Sequence, residues 1–470
     1  MSEIDVLIVG GGISGLAIAQ RLALHGVRVE VWEKEIQPGG KIQSESQDGY
    51  LMEQAAAMLL NFRPEVTRFI AESGLDNHKN PRADTSHRYV VNNGRLNELP
   101  MQLGPLLASN IWSTRGKLRM MLEPLIPKGG SDNETVSEFI TRRLGHEVLD
   151  KTMGPYVAGL LASDPGRANA RTVLPRLVAL ERRYGSITIG AFVHRVLKRK
   201  TGTETEAFSF HNGMATLVKS LAYRHGLCFR GGHSVTDLSQ SANGWQVVAN
   251  TSTGERLVKA RQVVLSTPAY SAAALLSGHS TDLAKLLSDI EYAPLVVVHT
   301  GFATDTIEHP LDGNGFLTQG NNGTSLIGCM WMSSLFSNHA PAGKALLSNY
   351  LGGARHPEAV TWSDKRLTSE TMKTLRPLLG VRGEPEIVHI KRHQQGLPLY
   401  HGDYYNRMQR LECLLARLPG LHVEANYRGG ISVRDRLVCA MRSADHILRN
   451  IQSSSSTTYS LPRLILEPQN

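Results

Sequence analysis

The stretch DVLIVGGGISGLAIAQRLALHGVRVEVWEKEIQPGGK, residues 5–41, decides the fold. Its residues 6–9 are an apolar run typical of a strand that is buried on both faces, and Gly10, Gly12 and Gly15 follow it at the spacing G-x-G-x-x-G. The first glycine permits a tight turn, the second lets backbone approach a pyrophosphate, and the third lets a helix pack closely on the sheet. The stretch therefore predicts a strand, a glycine turn, a helix and a second strand around a bound dinucleotide.

The predicted helix spans residues 13–25, and the predicted second strand spans residues 27–32. Free N–H groups and the helix dipole favour phosphates at the helix N-terminus. Glu33 ends the second strand, where its carboxylate can accept hydrogen bonds from a ribose hydroxyl, and an acid there argues against NADP. FAD and NAD both remain open on these residues. The following Gly39-Gly40-Lys41 indicates a second close backbone approach to a bound dinucleotide.

Composition excludes several classes of protein. The chain has 470 residues, of which 41% are hydrophobic and 20% charged, as in an ordinary globular protein. The net charge of +9 suits an anionic membrane surface or an acidic small molecule, and nucleic acid is disfavoured because no dense basic run with interleaved aromatic residues occurs. The four cysteines form no C-x-x-C pair, and no H-x-x-x-H or H-E-x-x-H spacing occurs on a plausible helix, so we predict reduced thiols and no metal.

The N-terminal residues pass directly into a core strand with no signal or transit segment, and no apolar run has the length of a spanning helix. We therefore expect a cytoplasmic protein or one bound peripherally to the cytoplasmic membrane. The basic amphipathic stretch of residues 99–130 permits such contact, although this pattern more often marks a helical layer over a core. A homodimer is left open.

Two or three structural units are expected from this length. Helix-forming residues dominate positions 92–200, whereas β-rich runs at 296–302, 325–332, 346–351 and 387–392 predict a sheet with one face available to a ligand. Residues 49–59 predict a short strand that becomes helical at three alanines. In a flavin oxidase the backbone of this segment would line the flavin, and an ordinary junction between a strand and a helix explains these residues equally. The serine-rich tail from residue 453 predicts disorder.

Longer motifs along nearly the whole chain resemble the protoporphyrinogen oxidase family, within the amine oxidase superfamily. They are PYVAGLLASDPGRANARTVLPRLVALERRYGSITIGA (residues 155–191), GCMWMSSLFSNHAPAGKALLSNYLGGAR (328–355) and NYRGGISV (426–433). The last is similar above all to the plant mitochondrial form. The resemblance implies FAD-dependent oxidation of protoporphyrinogen IX to protoporphyrin IX in haem synthesis, with dioxygen as the acceptor and hydrogen peroxide as a product. Coproporphyrinogen III as substrate and a non-catalytic, flavin-bound tetrapyrrole carrier remain alternatives.

The fold implied is α/β, with a discontinuous Rossmann-like FAD-binding domain (residues 1–87, 205–290 and 400–452) and a mixed-sheet substrate-binding domain (291–399). A helical, membrane-associating insertion (88–204) and a disordered tail (453–470) complete it. Cofactor contacts are assigned to Gly10, Gly11, Gly12, Ile13, Ser14, Gly15, Glu33, Gly40, Lys41, Gln54, Ala55, Met58, Val235, Thr267, Ala425, Ile431, Ser432 and Val433.

Substrate contacts implied by the resemblance are those of Arg88, which would lie near a substrate propionate, and of Gly159, Leu317, Met330 and Tyr350. Without the resemblance, the last three would be assigned to core packing. We name no catalytic acid or base, because the electron-rich pyrroles of a porphyrinogen stabilise the cation left by hydride loss.

Two positions depart from the family pattern. Glu424 stands where an alanine is common, so its carboxylate either points to solvent or tunes the flavin, and Ala56 replaces an Asn of the plant branch.

Overall fold

The protein is described by a computed structural model that covers residues 3–84, 87–99, 109–198, 205–224, 226–318 and 324–456. The strands in chain order are β1 (Glu3–Val9), β2 (Val29–Trp32), β3 (Ser44–Gln47), β4 (Tyr50–Glu53), β5 (Leu59–Asn61), β6 (Lys79–Pro81), β7 (His87–Asn92), β8 (Arg95–Glu98), β9 (Glu206–Phe210), β10 (Cys228–Arg230), β11 (Ser234–Ser241), β12 (Gly244–Thr251), β13 (Gly254–Leu265), β14 (Tyr292–Ala303), β15 (Gly313–Leu317), β16 (Leu326–Trp331), β17 (Lys344–Gly352), β18 (Ile387–Pro398) and β19 (Leu421–Val423).

The α-helices in chain order are α1 (Ile13–Ala23), α2 (Pro64–Glu72), α3 (Thr114–Met121), α4 (Val136–Leu144), α5 (His146–Val148), α6 (Gly154–Leu161), α7 (Ala170–Val173), α8 (Pro175–Tyr184), α9 (Ile187–Lys198), α10 (Ala215–Ala222), α11 (Ala269–Leu276), α12 (Thr281–Ser288), α13 (Met332–Leu335), α14 (Asp364–Leu379), α15 (Tyr404–Leu415) and α16 (Val433–Ser456). A π-helical turn, Leu149–Met153, joins α5 to α6.

The first large sheet contains the dinucleotide stretch. Its order is β10-β2-β1-β13-β12-β11, with β19 also paired to β13. The strands β10, β2, β1, β13 and β19 are parallel, whereas β11, β12 and β13 form an antiparallel meander. Residues 6–9 are buried on both faces, one of which packs on α1 and α16. This burial explains the uninterrupted apolar run in the sequence.

The second large sheet has the order β18-β14-β17-β16-β15-β7-β8. One face packs on α14, where the alternate residues Val298, Trp331 and Leu347 meet Leu375. The other face turns toward the first unit, since Met330 packs against residues of the β4 strand. The four β-rich runs predicted from the sequence are all strands of this sheet. The sheet predicted from these runs is therefore present, and the binding of a ligand to one of its faces stays a prediction.

The helical region, α3 to α9, has an apolar core of its own around Phe139, Ile140 and Val157. Within it, Arg143 and Glu123 form a fully buried ion pair, and Arg142 binds Glu181 at 2.7 Å. No helix among the described residues is both long enough and apolar enough to cross a membrane. The prediction that this stretch is mainly helical holds for the part that the structure describes.

Some predicted boundaries differ from the structure. Residues 55–57 form no helix, because the following β5 pairs with β9 and this tertiary pairing overrides the helix propensity of alanine. Residues 87–98, predicted to lie mostly in the helical region, are β7 and β8 of the second sheet. The backbone of residues 453–456 continues α16, and the remainder of the predicted disordered tail lies outside the described residues.

Candidate functional site

The glycine turn between β1 and α1 leaves room for a ligand at one glycine and none at the others. Gly10 has a φ of +108°, and a Cβ there would lie 2.7 Å from the carbonyl oxygen of Ser266. A Cβ on Gly15 would collide with the Gly10 carbonyl oxygen. A Cβ on Gly12, by contrast, would meet nothing within 4 Å. The open space thus lies at the glycine predicted to face the pyrophosphate.

Glu33 is buried at the end of β2 and holds the turn. Its Oε2 accepts a hydrogen bond of 2.7 Å from the Gly11 amide, and its Oε1 accepts one of 3.0 Å from Glu35. Each carboxylate oxygen has a second lone pair for a ribose hydroxyl. Val235 lies nearby, since the amide of His233, two residues earlier in the chain, donates to the Glu33 carbonyl oxygen at 2.8 Å.

Two hydroxyls beside the turn are buried without a partner. Ser266 Oγ and Thr267 Oγ1 find no hydrogen-bond partner within the described ranges, although buried polar groups nearly always have one. Both residues follow β13 and adjoin Gly10. A bound ligand with polar atoms at this position would satisfy them. The open backbone at Gly12 and these two orphaned hydroxyls fit the dinucleotide that the sequence predicts.

Lys41 lies beyond the second glycine pair. The Gly39 amide donates to the Gly11 carbonyl oxygen at 2.8 Å, which brings Gly40 against Gly12. Lys41 itself turns toward the second sheet, where its Nζ donates to the carbonyl oxygen of Gly396 at 2.7 Å. Burial lowers the pKa of Lys41 to about 8.

The C-terminal loop returns to the same edge of the first sheet. After β19, the Glu424 amide donates to the Leu265 carbonyl oxygen at 3.0 Å, and Ala425 is buried. Ser432 caps the start of α16, with its Oγ 3.1 Å from the Asp435 amide. Predicted cofactor residues thus gather at the carboxyl ends of the parallel strands, where ligands bind in open α/β sheets. They are the residues 10–15, Glu33, Thr267, Ala425 and Ile431–Val433.

Glu424 does not point to solvent, so that alternative is wrong. Its Oε1 accepts a hydrogen bond of 2.7 Å from Arg436 Nη1, and its Oε2 accepts one of 2.8 Å from Ser443. Both members of the ion pair are buried. The Arg436 guanidinium also donates to the carbonyl oxygens of Ala425 and Arg428. The pair therefore stabilises the loop that carries the predicted flavin contacts.

The predicted substrate residues share one face of the second sheet. The register pairs Val90 with Leu317, Leu317 with Gly328, and Gly328 with Tyr350. Residues paired across adjacent strands, and residues two apart on one strand, point to the same face. Leu317 and Tyr350 therefore lie on that face with Arg88 and Met330, which are two residues from Val90 and Gly328. The Tyr350 hydroxyl lies 3.6 Å from Met330 Sδ, and burial raises its pKa.

Gly159 closes this face from the helical region. A Cβ there would lie 2.5 Å from Leu317 Cδ2 and 2.9 Å from the carbonyl oxygen of Ile327. Only a glycine allows α6 to approach the strands so closely. This contact places the helical region against the predicted pocket.

The residues predicted to contact the flavin lie close to those predicted to contact the substrate. Met58 and Met330 pack in one apolar cluster. Ala55 is half-buried, and the adjacent Gln54 accepts a hydrogen bond from His393 Nε2 at 2.7 Å through its carbonyl oxygen. The short segment after β4 therefore bridges the two sheets, which agrees with its predicted place beside a flavin.

Sequence reasoning missed a polar row on the same face. Met330 pairs with Ser348, which pairs with His299, and Ser348 Oγ lies 2.8 Å from His299 Nδ1. Alternation along LLSNYL places Ser348 two positions before Tyr350, a predicted substrate residue, and His299 is paired with Ser348 on the neighbouring strand. Alternation was thus the signal that was available for Ser348.

The protein is similar to known flavoenzymes along most of its length. Its sequence matches the family described as flavin containing amine oxidoreductase over residues 13–425. It is 30% identical over 485 residues to the mitochondrial protoporphyrinogen oxidase of Nicotiana tabacum, covering 96% of each chain. It is 25% identical over 453 residues to the coproporphyrinogen III oxidase of Bacillus subtilis, covering 92% of this chain and 95% of the relative.

Solved structures show the same fold. A crystal structure from Exiguobacterium sp. 255-15 has a TM-score of 0.79 at 23% identity and covers 96% of this chain and 100% of that chain. A putrescine oxidase variant has a TM-score of 0.70 at 15% identity, with coverages of 95% and 99%. The solved structures confirm the predicted α/β fold. The family match confirms the assignment as an oxidoreductase and the flavin cofactor, predicted as FAD. The chain belongs to the flavin containing amine oxidoreductase family.

Proposed function

We propose that this protein oxidises a porphyrinogen in tetrapyrrole synthesis, and that the substrate is protoporphyrinogen IX, converted to protoporphyrin IX with dioxygen as the acceptor and hydrogen peroxide as the by-product. The observation that carries the proposal is the face of the second sheet. Arg88, Leu317, Met330 and Tyr350 come from four separate strands, and the register brings them onto one surface beside Met58. The similarity to protoporphyrinogen oxidases supports it.

The surface combines an apolar area with a cation. Leu317, Met330 and the half-buried ring of Tyr350 suit the flat, apolar body of a tetrapyrrole. Arg88 is half-buried and forms no ion pair with any described carboxylate. Burial, and then the charge of Arg82, lower its pKa, which still leaves a guanidinium ionised. Such a group binds a propionate through charge-assisted hydrogen bonds.

FAD, when bound, supplies the hydride acceptor that dioxygen can reoxidise. The residues of this chain position the substrate: Arg88 fixes one edge, and the apolar surface and α6 exclude water from the other parts of the ring. We assign no side chain as a general acid or base. The electron-rich pyrroles stabilise the cation that hydride loss leaves, and a pyrrole nitrogen of that cation then releases its proton.

Two alternatives follow from specific observations. The similarity to the Bacillus subtilis enzyme favours coproporphyrinogen III, which differs from protoporphyrinogen by two carboxylates. A tetrapyrrole carrier was suggested by Glu424 and Ala56. Because Glu424 is paired with Arg436, it no longer supports that alternative.

We propose in addition that the helical region contacts a membrane at the cytoplasmic side. The support is a set of exposed large apolar residues next to exposed basic ones such as Arg115 and Lys128. The apolar residues are Leu118, Met121, Leu122, Leu125, Ile189 and Phe192. Co-sedimentation with anionic vesicles, compared with a Leu125→Ser/Phe192→Ser variant, tests this: equal binding of both proteins contradicts it.

Anaerobic mixing of the FAD-loaded protein with protoporphyrinogen, and separately with coproporphyrinogen, tests the enzymatic proposal. Loss of the flavin absorbance near its visible maximum supports an oxidase, and the faster substrate identifies the preferred one. Binding without bleaching by either substrate supports a carrier and contradicts the proposal.

A further inference from the structure

A row of side chains crosses the second sheet from the proposed substrate surface to the edge strand β18. The register pairs Met330 with Ser348 and Ser348 with His299. It also pairs His299 with His389 of β18. Paired residues of adjacent strands point to the same face, and adjacent strands lie about 4.8 Å apart, so the row extends about 14 Å from Met330 to the edge of the sheet.

His299, in the middle of this row, is a fully buried histidine. Its Nδ1 lies 2.8 Å from Ser348 Oγ, whereas its Nε2 has no hydrogen-bond partner among the described residues. Burial, and then the charge of His389, lower the pKa of His299 to about 3, so the ring is neutral near neutral pH. A neutral imidazole accepts a proton at one nitrogen and donates one from the other. The ring can therefore pass a proton on, but it does not keep one.

The outer end of the row reaches solvent. The rings of His299 and His389 lie 6.1 Å apart between centroids, a separation that one water molecule can bridge. The His389 side chain is 20% exposed, and its Nε2 lies 3.3 Å from Oε2 of Glu45, whose side chain is 43% exposed. A proton on His299 thus has a short path through titratable groups to the surface.

The inner end of the row adjoins the residues assigned to the substrate. Ser348 lies directly across from Met330 and two positions before Tyr350 on the same strand. Because Ser348 is buried, a ligand on this surface would meet its hydroxyl away from water. That hydroxyl can donate to His299 while it accepts a hydrogen bond from an N–H group of the ligand.

Two further ionisable residues act on His299 from the segments that cover this face. The Glu53 backbone raises the pKa of His299 and the charge of His339 lowers it, both less than burial does. The Glu53 carboxylate already accepts hydrogen bonds from the Met214 amide at 2.8 Å and from the Ser44 hydroxyl at 2.7 Å. Glu53 and His339 are both buried, so neither leads a proton to the surface as His389 does.

We propose that Ser348, His299, His389 and Glu45 form an exit path for the proton that a porphyrinogen loses on oxidation. The inference rests on the proposed function for its substrate and deepens that function. In each round the broken C–H bond of a bridging carbon gives its hydrogen and both electrons to the flavin. A pyrrole N–H bond then breaks, and its electron pair stays on the macrocycle. Its proton goes to Ser348 as the serine proton moves to His299, so the path acts on the released proton and not on the C–H bond.

The test follows one anaerobic half-reaction of the FAD-loaded protein with protoporphyrinogen, in weak buffer at a pH where the reduced flavin is an anion. Flavin absorbance records the hydride step, and a pH-indicator dye records the proton that reaches solvent. In the wild type the two signals should coincide, with one proton for each flavin bleached. In His299→Asn, which can still bond to Ser348 but cannot relay a proton, the dye signal should lag about tenfold or more, with FAD content and porphyrin binding unchanged.

Two more variants separate a relay from a structural role. His389→Gln changes only the partly exposed outer end, and its lag should shorten when imidazole is added as a diffusible proton carrier. His279→Gln is the matched control, because His279 is also a partly buried, hydrogen-bonded histidine but lies beside the first sheet. It should show no lag.

A dye signal that keeps pace with bleaching in His299→Asn overturns the proposal. So does a lag in His389→Gln that imidazole leaves unchanged, and this variant decides alone if His299→Asn does not fold. The proposed function has a separate readout. Wild type that shows no bleaching with protoporphyrinogen or coproporphyrinogen removes the oxidase and the path together, whereas bleaching without a lag in the variants removes the path alone.

Discussion

The two large sheets meet at the site but present ligands with different parts of the chain. The first sheet offers backbone: the open glycine at Gly12, the start of α1, and a loop held by the Glu424–Arg436 pair. The second sheet offers side chains, with Arg88 and Tyr350 brought to one face from strands far apart in sequence. A backbone site needs glycines at fixed spacing, whereas a side-chain face tolerates many sequences.

This difference explains how specificity is divided. We propose that backbone groups bind the flavin common to the family, and that side chains on the second sheet decide which substrate is oxidised. Changes in the first sheet should therefore alter folding or FAD content, and changes in the second should alter substrate binding or turnover with FAD content unchanged. Each of the following experiments tests that division between cofactor binding and substrate binding.

The largest effect is expected from Glu424→Ala. Removing the carboxylate leaves Arg436 buried without its ionic partner, which costs about 3–5 kcal/mol of unfolding free energy. Urea denaturation measures it. Glu291→Ala breaks an exposed pair with Arg167 and should cost about 1 kcal/mol at most. Equal losses in the two variants would show that the Glu424–Arg436 pair does not stabilise the loop.

A smaller and more selective effect is expected from Gly12→Ala. Its backbone is extended and a Cβ meets no protein atom, so the folded apoprotein should keep its melting temperature. The methyl group occupies the space predicted for the pyrophosphate and should weaken FAD by about 1–3 kcal/mol, as overpacking does. Fluorescence titration of the apoprotein with FAD measures the affinity.

The control for that experiment is Gly278→Ala, which also has open space around it but lies away from the site. It should change neither stability nor FAD affinity by a measurable amount. An FAD affinity in Gly12→Ala equal to that of the control contradicts the assignment of the open glycine to the cofactor.

In the second sheet, Arg88→Ala should raise KM for the porphyrinogen roughly tenfold with FAD content unchanged, because one charge-assisted contact is lost. Arg95→Ala, exposed on the adjoining strand, is the control. Steady-state kinetics by porphyrin fluorescence measure both. Unchanged kinetics in Arg88→Ala would show that Arg88 does not bind the substrate. Loss of FAD from this variant would show that Arg88 supports cofactor binding, which the proposed division assigns to the first sheet.

The smallest effect is expected where the two sheets touch, at Lys41. With a pKa of about 8 in the apoprotein, its ammonium loses charge as the pH rises through that value. An anionic cofactor prefers the charged form, so FAD affinity should fall a few-fold between about pH 7 and pH 9. Lys41→Arg stays charged and should show no such fall. A parallel decline in both proteins excludes Lys41 as the titrating group.

The strands β1 and β2 of the first sheet and the helix between them could be predicted from residues 5–41 alone, because burial on both faces and three glycines leave a signal in a contiguous stretch. The strands of the second sheet were predictable from their β-branched runs. The order of those strands was not, since register depends on pairings across two hundred residues. Alanines 55–57 were predicted helical because propensity is local, and pairing of β5 with β9 decided otherwise.

Among the site residues, the glycines and Glu33 follow from physical pattern, whereas Arg88, Leu317 and Tyr350 follow from the family resemblance. The structure adds what neither provides: that these three share one face. The buried partner of Glu424 was also unpredictable, because Arg436 lies beyond a loop, in the first turn of α16, and carries no sign of its burial.

The central claim is that FAD held by the first sheet is reduced by a porphyrinogen held by the second. Anaerobic titration of the FAD-loaded protein with a substoichiometric amount of protoporphyrinogen tests it most directly, with flavin absorbance and porphyrin fluorescence recorded together. Because the conversion to protoporphyrin removes three electron pairs, the account predicts three flavins bleached for each porphyrin formed. Flavin that stays oxidised while protoporphyrinogen is bound would contradict it.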